Sequence, residues 1–116
     1  MFSLNKYGEY EIEINGIIFT CETVEDGLEE KAAILANIYE SKVDIIVKHM
    51  RENGLSDFFG ELPPQKVIAS LGRATIDLNR NIIMYLEQTL DDIHIIELQY
   101  STQFSFFVCR EMNMIY

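Results

Sequence analysis

Apolar and acidic residues alternate strictly near the start of the chain. Tyr10, Ile12 and Ile14 fall at one parity and Glu9, Glu11 and Glu13 at the other. That is the period of a strand with one face on a core and one in water. Asn15-Gly16 follows, a pair suited to a type I′ turn, whose two central residues both need positive φ. Ile17 to Cys21 then reads as the returning strand of a hairpin.

The period changes after residue 23. Leu28, Ala32, Leu35, Tyr39, Val43, Ile46 and Met50 recur three or four residues apart, which is the spacing of one helical stripe. Ala33, Ile34, Ile38, Ile45 and Val47 widen it. Thr23 and Asp26 are candidate caps, with Gly27 in the first helical position. Glu29 and Glu30 open the helix and Lys48, His49 and Arg51 close it, so charge complements the macrodipole at both ends. Gly54 suits the position just past the end. The stripe holds throughout, so one helix from Leu28 to Asn53 is expected, with a bend near Ser41 as the alternative.

Leu55 to Gly60 reads as a short turn that drops Phe58, Phe59 or both into the core. Pro63-Pro64 stops whatever precedes it, and Pro64 fits the first position of a second helix through Val67, Ile68 and Leu71, closed by Gly72. Strand patterns follow at 74–78, 82–87, 93–100 and 104–109, separated by turn-forming stretches such as Asn79-Arg80-Asn81 and Ser101-Thr102-Gln103. Within 93–100, His94, Ile96, Leu98 and Tyr100 share one face, and Ile93, Ile95, Glu97 and Gln99 the other. The segment from Arg110 to Tyr116 is apolar for a chain end; it is expected to add an edge strand, fold back onto the sheet or form an oligomer contact.

The element order is therefore β-β-α-α-β-β-β-β. Helices do not alternate regularly with strands, which argues against a doubly wound parallel sheet. The predicted fold is a single α+β domain over residues 1–116. A mainly antiparallel sheet, built from the N-terminal hairpin and a C-terminal meander, packs against one long helix and a short second helix. Leu35 and Ile96 are expected in the core between the layers. A chain of 116 residues is ordinary for one domain.

Charge narrows the functional classes. The formal net charge is -10. The acids Glu9, Glu11, Glu13, Glu22, Glu25, Asp26, Glu29 and Glu30 are opposed by Lys6 alone within residues 1–30. Such a field repels phosphate backbones and anionic membranes and attracts a basic partner. Nucleic-acid and membrane partners are therefore not expected, and neither GxGxxG nor GxxxxGK[ST] occurs. No apolar run approaches the roughly 18 residues of a membrane span. The start of the chain does not read as a secretory leader, because Tyr7-Gly8-Glu9 follows Lys6 where an apolar run would stand. Cys21 and Cys109 lie in apolar strand-like runs without CxxC spacing and read as buried free thiols. A reducing cytoplasm is the expected compartment.

Few residues suggest chemistry. Glu87, Asp91, Asp92, His94 and Glu97 crowd together in sequence, and carboxylate with imidazole can ligate zinc or iron. His49 is the one other histidine, distant in sequence, so the typical histidine pair of a hydrolytic zinc site is missing nearby. No catalytic, cofactor or metal residue is assigned.

The stretch Gly72-Arg73-Ala74-Thr75-Ile76-Asp77-Leu78, with Leu86-Glu87-Gln88-Thr89-Leu90-Asp91-Asp92-Ile93-His94-Ile95-Ile96, resembles small acidic bacterial domains of uncharacterised function, some of them similar to immunity proteins. The resemblance implies a compact bacterial protein that neutralises a partner, and it transfers no functional residue. The expected function is a small acidic protein-binding module, an immunity-like inhibitor of a toxin or enzyme. Glu25, Asp26, Glu29 and Glu30 are its candidate contact residues, with Asp91 and Asp92 second. The alternatives are a metal-dependent hydrolase built on His94 and nearby carboxylates, and a non-catalytic scaffold subunit. Homo-oligomerisation is expected, if at all, through the apolar C-terminus.

Overall fold

The computed structural model describes residues 1–52, 55, 59–90, 95–100 and 113–115. Its elements are β1 (Ser3–Leu4), β2 (Tyr10–Ile14), β3 (Ile17–Cys21), α1 (Leu28–Glu52), α2 (Pro64–Leu71), β4 (Thr75–Asp77), β5 (Ile82–Tyr85), β6 (Ile95–Gln99) and β7 (Asn113–Ile115). The strands form one sheet in the order β1-β2-β3-β4-β5-β6-β7. Hairpin, helices and C-terminal strands thus form the expected α+β arrangement. No helix among the described residues is long and apolar enough to cross a membrane.

The hairpin is built as its sequence dictates. Asn15 and Gly16 both take positive φ, 53° and 79°, and close Ile14 onto Ile17 in a type I′ turn. Alternation then sets the layers. Ile12 pairs with Phe19, Phe19 with Ile76, Ile76 with Ile83 and Ile83 with Leu98, so these side chains line one face of the sheet. Phe19, Ile76, Ile83, Tyr85, Ile96 and Leu98 are all buried. From above, α1 contributes Ala32, Leu35, Ile46 and Met50 to the same cluster, and α2 contributes Val67 and Leu71. Each such Ile, Leu, Val or Met side chain removed from water stabilises the fold by roughly 1.5–3 kcal/mol.

The sheet is mixed. Five pairings are antiparallel, but β3 and β4 run parallel, with Phe19 opposite Ile76. The chain leaves β3, passes through both helices and returns beside the strand it left, the long crossover a parallel pair needs. Ile18 N donates to Ala74 O at 3.1 Å and Leu78 N to Thr20 O at 2.9 Å, extending the contact at both ends of β4. A further strand, β1, was not expected; it pairs with the start of β2 through Ser3–Glu11 and Leu4–Tyr10. The C-terminal segment does supply an outer strand, β7, antiparallel to β6.

Helix α1 runs unbroken through Ser41, whose hydroxyl donates to Ile38 O at 2.7 Å. Its start departs from expectation. Lys31 N donates to Gly27 O at 2.9 Å, so Gly27 is the capping residue and its φ of 85° lies outside the helix. The expected close at Gly54, and Phe58, lie outside the described residues; Phe59 packs partly against the core. In α2, Pro64 stands at the first turn and Gly72 ends the helix with φ 70°. A Cβ at Gly72 would sit 2.9 Å from Glu87 O, so positive φ and a close backbone approach both demand glycine there.

Candidate functional site

Five exposed acids lie at one end of the sheet. Leu4 lies opposite Tyr10 and Tyr10 opposite Cys21, so the β1–β2 turn and the segment leaving β3 emerge side by side. That segment carries Glu22, Val24, Glu25 and Asp26 and enters α1, whose first turn holds Glu29 and Glu30. All five of these acids are exposed. The N-terminal amine of Met1 donates to Glu29 Oε1 at 2.7 Å, an exposed pair of small energetic weight. Glu25, Asp26, Glu29 and Glu30 are thus exposed around the start of α1. Asp91 and Asp92 lie outside the described residues.

Apolar side chains stand exposed among these acids. Leu4 is 63% exposed, Tyr7 75%, Val24 49% and Tyr10 37%. Alternation predicts Tyr10 on the core face with Ile12 and Ile14. It does share their parity, but the cover over that face stops short of it. Lys6 Nζ sits 5.1 Å from the Tyr7 ring centroid, a geometry in which a cation is drawn to an aromatic face.

The basic groups next to this end are already engaged. Lys31 Nζ donates to Leu78 O at 3.0 Å and to Asn81 Oδ1 at 2.8 Å, clamping the β4–β5 turn to α1. Burial lowers its pKa, opposed by Glu25 and Asp77. Arg80 Nε donates to Asp77 Oδ2 at 2.7 Å. Asp77 is 2% exposed, and its Oδ1 also accepts from Asn79 N and Arg80 N. A buried carboxylate thus finds charge-assisted partners on several sides, and the hydrogen bond that Arg80 donates to Asp77 raises the Arg80 pKa further. The Asp77-x-Asn79-Arg80 sequence predicts a turn, and the enclosure of the Asp77 carboxylate comes from the packing around it.

Other concavities look less like ligand sites. A cleft of about 330 Å³ is lined by Asn15, Asn37, Tyr39, Glu40 and Arg73 among others. Arg73 there is held at 2.9 Å by Glu87 and at 3.1 Å by Glu13, so its charge is matched rather than offered to an anion. A hollow of about 380 Å³ between the end of α1 and Pro64 mixes Asp44 and Glu52 with Lys48 and Arg51.

The candidates for chemistry fall only partly among the described residues. No group of three or more His, Cys, Asp or Glu there could hold a metal ion. Of the acid and histidine cluster, Asp91, Asp92 and His94 lie outside those residues, Glu87 is paired with Arg73, and Glu97 stands half-buried in β6 on the face away from α1. Cys21 is a buried free thiol. Burial raises its pKa, reinforced by Asp77, Glu25 and Glu9, the reverse of what an activated nucleophile needs. Cys109 lies outside the described residues. His49 on α1 is half-buried, and desolvation lowers its pKa against the pull of Glu52.

No known protein family, curated protein or solved structure matches the chain. The functional reading rests on its own residues.

Proposed function

We propose that this protein is a binding module whose acid-rimmed end covers a basic surface on another protein, in the manner of an immunity-like inhibitor of a toxin or enzyme. One observation carries the reading: exposed Leu4, Tyr7, Tyr10 and Val24 stand among Glu22, Glu25, Asp26, Glu29 and Glu30. Acids at a helix start already complement the macrodipole, which gives Glu29 and Glu30 a local role. It gives none to exposed tyrosine, leucine and valine. An apolar centre within a charged rim is the anatomy of a protein interface, the centre supplying burial and the rim supplying speed and orientation of encounter.

The partner this surface fits has an apolar or aromatic protrusion ringed by lysine and arginine. The test is capture by the immobilised protein from a lysate of its source. A Glu25→Lys/Asp26→Lys variant is compared with Glu40→Lys/Asp44→Lys, which alters net charge equally on an exposed part of α1 elsewhere. A protein retained by the wild type and by the second variant, lost by the first, and associating at least about tenfold more slowly when salt rises from roughly 50 to 500 mM, is the expected result. Equal retention by both variants removes the acidic end from the interface.

A further inference from the structure

A second surface lies along α1, away from its core stripe. At about 100° per residue, Ile34, Ile38, Ser41 and Ile45 fall within one narrow sector of the helix. Ile34 is 38% exposed and Ile45 46%, while Ile38 packs partly against the core. At the N-terminal end of this line, Gly27, Glu30, Lys31 and Ile34 surround a hollow of about 170 Å³. Their spacing, i, i+3, i+4 and i+7, is that of the four residues that form a hole for a knob from a facing helix. The glycine leaves the hollow open, and Lys31 is fixed by its bonds to Leu78 O and Asn81 Oδ1.

The geometry points to a second copy of this chain as the occupant, with the two α1 helices antiparallel about a two-fold axis near Ile38. In that arrangement Ile45 of each copy falls opposite the hollow of the other, and the two Ile38 side chains meet on the axis. The charges follow the same symmetry. The hollow end presents Glu30, and the Ile45 end presents Lys48, which is 76% exposed in its side chain. Among the described residues Lys48 makes a 3.9 Å contact with Glu52, a surface pair of little worth. In the dimer Lys48 stands within about two residues, or roughly 3 Å of helix rise, of the level of the other copy's Glu30. Both ends carry charges of each sign, Glu30 with Lys31 at one and Lys48 with Asp44 and Glu52 at the other, and inversion sets Glu30 of each copy near Lys48 of the other. The contact is self-complementary, as a two-fold interface must be, and it is small, which makes the dimer weak. It is independent of the partner surface proposed above, apart from Glu30, which stands at the border of both.

Sedimentation velocity on the full chain, from roughly 5 to 500 μM, tests this. The expected result is a monomer at the low end and growing dimer above tens of micromolar, the affinity of a small, transient interface. Ile45→Glu is expected to weaken association at least about tenfold, the effect of placing a charge in an apolar contact. Glu30→Lys and Lys48→Glu are each expected to weaken it severalfold, and the double variant to recover most of the loss, because the swap restores both pairs. All three positions are exposed or border on solvent, and the charge swap decides the matter even where Ile45→Glu disturbs the fold. A monomer at every concentration overturns the inference. So does a dimer indifferent to Ile45→Glu, which would assign association to another surface such as the C-terminal strand, or a double charge variant no better than the singles.

Discussion

One polar pair joins α1 to the sheet, tyrosine to tyrosine. Tyr39 of α1 and Tyr85 of β5 meet hydroxyl to hydroxyl at 2.6 Å, and Tyr85 is fully buried. Tyr39→Phe leaves the Tyr85 hydroxyl without that bond in a place water does not reach, and is expected to cost about 1–3 kcal/mol. The Tyr39→Phe/Tyr85→Phe double variant is expected to lose less than the sum of the singles, since no polar atom is then stranded. Denaturant titration of the four proteins checks this, and strict additivity would contradict it. Burial raises the pKa of both phenols, that of Tyr85 well above the usual range and further through Tyr39. The folded state therefore keeps protons that the unfolded chain releases. The associated stability is fully present below about pH 10 and is lost as pH rises beyond it. The pair was not legible in the sequence: Tyr39 belongs to the helical stripe and Tyr85 to a strand pattern, and periodicity does not say which positions of two layers meet. Asp77 was hidden for the same reason, because a turn signal does not reveal that its carboxylate will be enclosed.

At the level of elements, the pattern was most informative where the period was long or the turn chemistry strict. The stripe from Leu28 to Met50 and the Asn15-Gly16 turn both appear as expected. The layer between the long helix and the sheet is sealed, with Leu35 of α1 1% exposed and Ile96 of β6 0% exposed. Leu35→Ala and Ile96→Ala are each expected to destabilise by about 2–5 kcal/mol; a loss below roughly 0.5 kcal/mol in chemical denaturation would remove either residue from the sealed layer. The parallel β3–β4 pair was less legible. Period two gives a strand its faces but not its neighbour, and the two helices between β3 and β4 allow a return on either side of the sheet edge. The two-residue β1 is too short to show a period at all. At the start of α1, Thr23 and Asp26 are the caps the sequence suggests, and the backbone puts the cap at Gly27 instead.

For the whole molecule, part of the charge asymmetry visible in the first 30 residues, that of Glu22, Glu25, Asp26, Glu29 and Glu30, falls at one end of the sheet, where the β1–β2 turn, the end of β3 and the start of α1 meet. The acidic half of the candidate site was thus readable from composition and position. Its apolar half was not: Tyr10 has the parity of a core residue, Leu4 belongs to a strand too short to announce itself, and Tyr7 and Val24 stand in connections without a pattern. The binding reading depends on both halves acting together. Hydrogen exchange of the protein, alone and bound to the partner it captures, tests that most directly. Slowed exchange at residues 4–10 and 22–30 on binding is the predicted result. Unchanged exchange in those two segments, with protection on another face of the bound protein, would contradict it.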